Sequence, residues 1–436
     1  MERIIIEGVR CFQRRQSASL KPVTILIGEN STGKTTFLAL VRIAWDLRAG
    51  NFAPDFNEEP FELGAYDQIA SYRGGKEGCA RTFTIESEAP FSDYAGGPYA
   101  VTVCAEFGSR GSQPNLETWR MQVGQYGLKA DYGSGTNELA LIIFTPSGSF
   151  SEKLEIGDDL FRSMRPSSLL LPFHASLQRE RLPKAEKAGQ RKVADVSFLS
   201  ELAYDLQRLG ASRPYAFAPI RTRPKRTYDP IKDVPEPGGS HVPMVLAKTL
   251  SPNRGARNEL RETLDKFGKD SGLFHNVEVR RLGRTESDPF QIRIKVAGPA
   301  FNLIDVGYGV SQVLPIIVDC LRAPKGATFL LQQPEVHLHP RAQAELGSFL
   351  AFIAKEQKKR VIIETHSDYI VDRIRMDIRE GKHHLNPDDV ALLYFERDDG
   401  GVTIHELRID EQGNILNPPR GYRQFFLDEE RKLLGC

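Results

Sequence analysis

The strongest chemical signal in the chain is the glycine-rich segment GENSTGKT at residues 28–35. An apolar run at residues 23–27 precedes it, and residues 36–45 follow it with the apolar spacing of a helix. A strand, a glycine-rich loop and a helix in this order bind nucleotide phosphates, because the N–H groups of the loop point at the anion. Lys34 then contacts the β and γ phosphates, and the Thr35 hydroxyl binds magnesium. The sequence therefore predicts that ATP and Mg²⁺ bind at Gly28, Glu29, Asn30, Ser31, Thr32, Gly33, Lys34, Thr35 and Thr36.

A second glycine-rich turn, DVGYGVSQ, lies at residues 305–312 and leads into an apolar segment with helical spacing. Its two glycines free the backbone at a helix N-terminus, so the N–H groups and the Ser311 hydroxyl could bind an anion. Taken alone, a turn of this kind more often caps a helix than binds phosphate. Pro315 is expected in the first turn of that helix, where proline is tolerated. Gly307, Gly309 and Ser311 are therefore further candidates for nucleotide binding.

Two apolar runs in the C-terminal part end in polar residues. Residues 328–340 are TFLLQQPEVHLHP, and residues 361–367 are VIIETHS. Parallel α/β sheets bind ligands at the carboxyl ends of their strands, so these polar residues are candidate site residues. Strand alternation would place Glu364 and His366 on the same face. His337 and His339 fit a helix cap better than a zinc site, because no third ligand lies near them in the sequence.

The four segments occur in the order GENSTGKT, VGYGVSQ, LLQQPEVHLHP and ETHS. In this order and spacing the chain resembles the ABC-type ATPase heads related to SMC and OLD proteins, especially the stand-alone bacterial ATPases that include the Septu defence subunit. The segments ELGAYDQI, APIRTR and GNILNPPRGY resemble the same family. The resemblance implies that residues 306–312 occupy the signature position, residues 330–335 the Walker B position, and His366 the position of the switch histidine. It implies an α/β fold, a P-loop NTPase (ABC-ATPase-like) head with an antiparallel β lobe and a mainly helical insertion.

The chain departs from this family in two places. Gly307 stands where the family's signature usually has a serine, and the serine of this chain follows later as Ser311. Gln332 and Gln333 end the Walker B segment, where most relatives have at least one carboxylate. Magnesium prefers carboxylate oxygens and a general base must ionise, so we expect hydrolysis to be slow or to use another acid.

These departures define the candidates for the reaction. Gln333 and His366 could orient a water molecule, because phosphoryl transfer depends largely on positioning. Glu364 and Glu335 are the nearby carboxylates, and Glu364 is preferred because of the strand face that it would share with His366. The catalytic candidates are therefore Gln333, Glu364, His366 and Glu335. The candidate magnesium ligands are Thr35, Gln68 and Gln332, with Gln68 standing for the family's lobe-linking glutamine.

The length of 436 residues predicts two domains or one elaborated domain. Short apolar runs between turns, from about residue 80 to residue 156, indicate an antiparallel sheet, and the charged segment after residue 157 has helical spacing. Residues 212–239 contain many prolines and predict an irregular loop, and a hairpin is predicted around the turn DDGG. These patterns divide the chain into an N-terminal part of the head, an insertion and a C-terminal part of the head, at residues 1–156, 157–290 and 291–436.

The composition is that of a soluble globular protein, with 58 Lys and Arg against 57 Asp and Glu. The charge of the whole chain therefore indicates no particular partner. Five scattered cysteines favour reduced thiols over a disulfide framework or a zinc site. The N-terminal residues do not resemble a secretory signal, and no apolar stretch reaches membrane-spanning length. We therefore expect a cytoplasmic protein with no membrane partner.

One basic segment is a candidate nucleic-acid surface. Residues 213–226 contain no acidic residue, and their cations would suit nucleic-acid phosphates. A solvated face or a subunit contact explains such a segment equally well. The residues concerned are Arg213, Arg221, Arg223, Lys225 and Arg226, and a second cluster lies upstream at Arg179, Arg181, Lys184, Lys187, Arg191 and Lys192.

The leading functional hypothesis is an ATP-dependent switch that forms a homodimer or a higher oligomer and hydrolyses ATP slowly. By the resemblance, it would regulate or assemble a protein effector, a nuclease, in bacterial anti-phage defence. One alternative is a head of the DNA-repair type that binds DNA directly, although no sustained heptads indicate a coiled coil. The other alternative is an OLD-like nuclease, although only a short tail follows His366.

The first prediction concerns the cation of the glycine-rich loop. We expect Lys34→Ala to abolish ATP binding, because the β and γ phosphates lose the one cation that the motif supplies. Titration calorimetry on the variant and the wild type measures this directly. An unchanged ATP affinity in Lys34→Ala would contradict the assignment of the loop.

Overall fold

The computed structural model of the chain describes residues 1–74, 78–92, 98–133, 135–179, 187–209, 213–230, 234–250 and 259–422, together with residues 428, 431, 432 and 434. Strands and helices alternate in both terminal parts, which gives the predicted α/β fold. The strands are β1 (Arg3–Glu7), β2 (Gln16–Ser19), β3 (Val23–Gly28), β4 (Phe83–Ser92), β5 (Pro98–Arg110), β6 (Gln113–Val123), β7 (Tyr126–Gly133), β8 (Glu138–Thr145), β9 (Gly148–Glu155), β10 (Tyr215–Phe217), β11 (Asn276–Arg281), β12 (Phe290–Lys295), β13 (Phe301–Asn302), β14 (Thr328–Gln332), β15 (Arg360–Glu364), β16 (Val390–Asp398), β17 (Gly401–Ile409) and β18 (Ile415–Leu416).

The helices connect these strands and cover their faces. They are α1 (Lys34–Arg48), α2 (Tyr66–Ile69), α3 (Asp158–Ser163), α4 (Leu171–Arg179), α5 (Lys187–Leu209), α6 (Val242–Thr249), α7 (Glu259–Ser271), α8 (Tyr308–Arg322), α9 (Pro340–Lys355) and α10 (Asp368–Arg379). In the part of the chain that the structure describes, no helix is both long enough and apolar enough to span a membrane.

The chain divides into two compact units, and the first comprises residues 1–20, 31–213 and 395–404. Its eight-stranded sheet has the order β2-β1-β4-β5-β6-β7-β8-β9. Neighbouring strands pair antiparallel, as the sequence predicts for the segment between residues 80 and 156. Buried and partly exposed residues alternate along β8, because one face of an antiparallel sheet covers the core and the other meets solvent. Aromatic rings fill that core, with Phe52 lying 5.4 Å from Trp119 between ring centroids.

A buried arginine at the end of α1 ties this helix to the sheet of the first unit. Arg48 Nη1 donates hydrogen bonds to the carbonyl oxygens of Val101, at 3.1 Å, and Ser87, at 3.4 Å. Burial lowers the pKa of Arg48 to about 10, since the charged form is penalised away from water. The two carbonyls are therefore necessary partners, and they hold the helix that begins at the glycine-rich loop.

The second unit comprises residues 21–30, 214–394 and 405–436. Its sheet has the order β10-β14-β15-β3-β16-β17-β18, and β10, β14, β15 and β3 are mutually parallel. Strands β14 and β15 are buried along almost their whole length, as expected of a parallel sheet that is covered on both faces. Helices α6, α7, α8, α9 and α10 contribute to one apolar core with these strands. A smaller three-stranded sheet of β11, β12 and β13 belongs to the same core.

The structure differs from the sequence predictions at three places. The proline-rich stretch at residues 212–239 is not entirely irregular, because Tyr215–Phe217 forms β10 at the edge of the parallel sheet. Pro315 is not in the first turn of its helix, since α8 begins at Tyr308 and Pro315 lies inside it. The two units also divide the chain at other positions than the predicted segments: position 156 lies within the first unit and position 290 within the second. The predicted hairpin is present as β16 and β17.

Candidate functional site

The glycine-rich loop has the backbone conformation that a phosphate cradle needs. Strand β3 ends at Gly28, with φ 142°, and α1 begins at Lys34 directly after Gly33, with φ 86°. Ser31 between them also has a positive φ of 60°. The first hydrogen bond of α1 runs from the Phe37 N–H to the Gly33 carbonyl at 2.8 Å, so the N–H groups of the first turn point along the helix axis toward the loop. The division between the two units passes through this loop, after Asn30.

Close packing in the first unit explains why position 33 is glycine. A Cβ atom there would lie 2.5 Å from Cys11 Sγ and 2.9 Å from a ring carbon of Phe12. Lys34 is buried, and its Nζ lies 3.4 Å from Thr32 Oγ1, so the lysine folds back over the loop. Thr32 and Thr36 are buried, whereas Glu29, Asn30, Ser31 and Thr35 are exposed.

Arg10 is a positioning residue that sequence reasoning missed. Its three guanidinium nitrogens donate to Thr36 Oγ1 at 3.0 Å, to the Leu63 carbonyl at 2.7 Å and to the Gln68 carbonyl at 3.1 Å. Burial lowers the pKa of Arg10, because the charged guanidinium is less stable away from water. The contact joins the first turn of α1 to the segment ELGAYDQI. No local pattern around residue 10 indicates this role, because its partners lie 26 to 58 residues away in the sequence.

The structure places Gln68 as a local cap in the first unit. Its side-chain Oε1 accepts a hydrogen bond from the Ala65 N–H at 3.0 Å. A Cβ atom at Gly64 would lie 1.9 Å from the same oxygen, so the amide packs tightly against the turn before α2. A role of Gln68 in magnesium binding therefore requires the second lone pair of this oxygen or the loss of the cap.

Three parallel strands bring the other motif segments to one edge of the second unit. Gln332 at the end of β14 is in register with Glu364 at the end of β15, and Glu364 is in register with Leu26 of β3. Gly28, the first residue of the glycine-rich loop, therefore lies two residues after Leu26, which is level with Glu364 and Gln332. Gln332 is buried and its Nε2 has no hydrogen-bonding partner among the described residues. Gln333 has a positive φ of 40°, and its N–H donates to the Glu364 carbonyl at 2.8 Å.

The prediction that Glu364 and His366 lie on the same face of a strand is wrong. Strand β15 ends at Glu364, so strand alternation does not extend to His366. Glu364 is buried while His366 is exposed. It is Glu335 that meets the histidine segment, since its Oε1 accepts a hydrogen bond from the His366 N–H at 2.8 Å. Burial raises the pKa of Glu335, and that hydrogen bond opposes the shift.

The turn in the signature position forms the first turn of α8 and packs on the segment after β14. Ser311 is buried, and its hydroxyl donates to the Tyr308 carbonyl at 2.7 Å, so it supports the turn from within. The Tyr308 ring meets the His337 ring edge-on, with 4.8 Å between centroids. A Cβ atom at Gly309 would lie 2.7 Å from the His337 carbonyl oxygen, whereas one at Gly307 would meet no atom within 4 Å. The turn therefore needs glycine at position 309 for close approach.

The predicted cap is confirmed for His339 and absent for His337. His339 is the N-cap of α9, and its Nδ1 accepts a hydrogen bond from the Arg341 N–H at 3.3 Å. His337 instead has a positive φ of 65° and contacts Tyr308. No group of three or more His, Cys, Asp or Glu side chains suited to a metal ion occurs in the described part of the chain.

The basic segment does not form one exposed surface. Arg221 is buried, so its proposed contact with nucleic acid is wrong. Arg213 belongs to the first unit and binds Asp46 and Glu58, and Arg226 is paired with Asp305. Arg223 and Lys225 remain exposed. The side chains of the upstream cluster, Arg179, Arg181, Lys184, Lys187, Arg191 and Lys192, lie outside the described residues.

Comparison with protein families matches two segments of the chain. Residues 195–372 match the model described as "AAA domain, putative AbiEii toxin, Type IV TA system". Residues 195–372 are therefore similar to an AAA-family ATPase domain. The matched segment includes α8, β14, β15 and Arg221, and the P-loop lies upstream of it. Residues 385–435 match a second model, described as "Protein of unknown function (DUF3696)". With the P-loop and the parallel sheet, the match confirms the predicted P-loop ATPase fold class.

Solved structures similar to this chain include SMC head domains. An SMC head bound to the C-winged helix domain of ScpA has a TM-score of 0.46 and 8% identity, over 94% of this chain and 98% of that one. The SMC head of Thermotoga maritima has a TM-score of 0.42 and 11% identity, over 94% and 99%. The Smc head of Pyrococcus yayanosii, with a coiled coil and joint, has a TM-score of 0.44 and 9% identity, over 99% of both chains. No curated protein matches the chain.

The residues of the glycine-rich loop and, separately, those at the sheet edge of the second unit have the chemistry that a nucleotide with its magnesium ion would require. The positive φ of Gly33 and the absence of room for a side chain there leave the backbone as the phosphate ligand. Lys34 supplies a cation inside the loop, and Thr35 presents an exposed hydroxyl. The unpartnered, buried Nε2 of Gln332 shows that its amide is held at the sheet edge without satisfying a neighbour.

The contrast between Gly309 and Gly307 is testable. Alanine normally favours a helix over glycine by about 1 kcal/mol, but Gly309→Ala is expected to destabilise the fold by about 1–3 kcal/mol because its Cβ collides with the His337 carbonyl. Gly307→Ala is the matched control and should be neutral, since its φ of −55° and its surroundings accept a methyl group. Thermal melting compares the two, and equal melting temperatures would contradict the close approach.

Proposed function

We propose that the chain is a dimeric, ATP-binding switch that hydrolyses ATP slowly and regulates a partner effector. The register of three strands carries this proposal. It brings Gln332 and Glu364 level with Leu26 of the strand that leads into the glycine-rich loop. The carboxyl edge of a parallel sheet is the place where α/β folds bind nucleotides. The same edge carries glutamines where a fast hydrolase would carry acids, which supports long-lived ATP binding.

The role that we assign to each residue in binding and hydrolysis follows from the chemistry of its side chain. Lys34 binds the β and γ phosphates, and Thr35 and Gln332 provide neutral oxygens for Mg²⁺, which neutralises phosphate charge when bound. Gln333 and His366 orient the attacking water. Glu335 is the preferred carboxylate, because it already holds the backbone of His366. Burial raises the pKa of Glu335, which makes its carboxylate a stronger base than a carboxylate at its ordinary pKa.

The proposed partner is a protein effector, a nuclease, in bacterial anti-phage defence. Two observations support this part of the proposal. The order of the four motif segments resembles the Septu-type ATPases, and the matched family model carries the description of a toxin in a toxin–antitoxin system. Slow turnover would suit a timer that holds a harmful effector in check.

Direct DNA binding by a head of the DNA-repair type is the weaker alternative. Five of the basic residues considered for it lie in one segment, and of these Arg223 and Lys225 are exposed and form no ion pair among the described residues. Two exposed cations contribute little to binding at physiological salt, since each phosphate contact is weak and screened. An OLD-like nuclease also has less support, because no acidic metal cluster occurs among the described residues.

Nucleotide-dependent assembly tests the switch. ATP, but not ADP, should favour the dimer, because the N-terminus of α8 would bind the γ phosphate of a second copy. Light scattering with each nucleotide measures the mass, with Lys34→Ala as the control that cannot respond. Affinity purification of the protein from cells that also express its neighbouring genes should recover a nuclease with the ATP-bound form and not with the ATP-free form. An ATP-independent mass together with no nuclease would reject the proposal.

The choice of carboxylate gives a second test. Glu335→Gln should reduce ATP hydrolysis more than Glu364→Gln, and both variants should keep ATP binding, because neither residue belongs to the glycine-rich loop. Steady-state phosphate release gives the rates, and the wild type should turn over at about 1 per second or less. Full activity in Glu335→Gln would exclude Glu335 as the general base. Rapid turnover in the wild type, on the order of hundreds per second, would exclude the slow hydrolysis that a timer requires.

A further inference from the structure

A buried arginine lies where three motif segments of the second unit meet. Arg221 follows β10 and is only 1% exposed. Burial lowers its pKa to about 10, while the charge of Glu335 acts in the opposite direction. A fully buried cation destabilises a fold unless its surroundings compensate it, so its position requires an explanation.

The main chain of Arg221 is held by the helix in the signature position. Gln312 of α8 is completely buried, and its Oε1 accepts a hydrogen bond from the Arg221 N–H at 3.0 Å. Its Nε2 lies 3.5 Å from the Arg221 carbonyl oxygen and donates to it. One amide side chain thus binds both backbone polar groups of Arg221, which fixes the loop against α8.

The guanidinium of Arg221 faces the segment in the Walker B position. Its Nη2 donates to the Gln332 carbonyl at 3.3 Å. Its Nε and Nη1 are buried without a hydrogen-bonding partner among the described residues, as are Gln332 Nε2 and Glu335 Oε2. Buried polar atoms are rarely left unpaired, so three such residues together mark a place that is kept polar for function.

The next link leads to the histidine in the switch position. The charge of Glu335 raises the pKa of Arg221, and Glu335 Oε1 accepts the hydrogen bond from the His366 N–H. Hydrogen bonds therefore run from Gln312 through Arg221 to Gln332, and a separate hydrogen bond joins Glu335 to His366. The short segment 332–335 connects the two sets along the chain. Every member of both sets belongs to the second unit.

We propose that Arg221 is a positioning residue of the ATPase site, which couples α8 to the end of β14 and so fixes the start of the segment that carries Glu335. The inference rests on the proposed function, because it assigns Glu335 and His366 to hydrolysis. Arg221 binds the main-chain carbonyl of Gln332, whereas the oxygen assigned to Mg²⁺ is the side-chain oxygen of that residue. Loss of Arg221 should therefore lower the rate of hydrolysis far more than ATP affinity.

Four variants test this coupling. Arg221→Met keeps the volume and removes the charge and hydrogen bonds, and Arg221→Lys keeps the charge alone. Gln312→Met releases the loop without leaving an unpaired charge. Arg280→Met, an exposed arginine on β11 of the same unit, is the matched control. We expect Arg221→Met to lower kcat by about tenfold or more and to change the Kd for ATP by less than about threefold. Arg221→Lys should recover part of the rate, and the control should match the wild type.

Hydrogen exchange gives a readout that does not depend on hydrolysis. In Arg221→Met the amide of His366 should exchange faster, because the end of β14, and with it the segment that carries the acceptor Glu335, is no longer held, while β15 stays protected. If kcat and exchange at His366 both stay at wild-type values, the coupling is wrong. If kcat, ATP affinity and melting temperature fall together, Arg221 is only structural. If Arg221→Met does not fold, Gln312→Met decides by the same two measurements. A wild type that binds ATP without hydrolysing it would reject the proposed hydrolysis, and exchange at His366 would still decide the coupling.

Discussion

The parallel pairing of β14, β15 and β3 is the constraint on which the candidate site depends. Hydrogen bonds between parallel strands set one register, and here that register makes Gln332, Glu364 and Leu26 neighbours across the sheet. Both faces of β14 and β15 pack into the apolar core, so a shift in register would disturb that packing. Residues more than 300 positions apart in the chain are therefore placed within two strand spacings, about 10 Å.

Buried polar groups then decide what this sheet edge can do. Arg221, Gln332 and Glu335 all lie away from water, where an unpaired charge is expensive and a neutral amide is less so. With glutamine at both 332 and 333, the only acid of the Walker B segment is Glu335, and one of its oxygens is engaged by the His366 N–H. Under the proposed function, this charge arrangement favours binding of an anionic nucleotide over its rapid hydrolysis.

Close backbone approach is the second physical theme of the molecule. Gly33 in the first unit and Gly309 in the second each lie so near another residue that a methyl group would collide. Neither contact is with a sequence neighbour, since Cys11 lies 22 residues before Gly33 and His337 lies 28 residues after Gly309. Glycine at these positions thus serves packing as well as dihedral freedom, and the same residues leave backbone N–H groups as the natural ligands of an anion.

The sequence by itself determined the α/β class, the antiparallel β lobe, the strand-loop-helix of residues 23–48 and the His339 cap. Each depends on local periodicity or on a motif whose residues are contiguous, so the information lies within one short segment. Tertiary structure alone decided that Arg221 is buried, that Arg10 joins Thr36 to the segment of Gln68, and that Glu335 rather than Glu364 holds the His366 segment. Those contacts join residues 26 to 111 positions apart, and they exist only because strand register and core packing bring distant segments together.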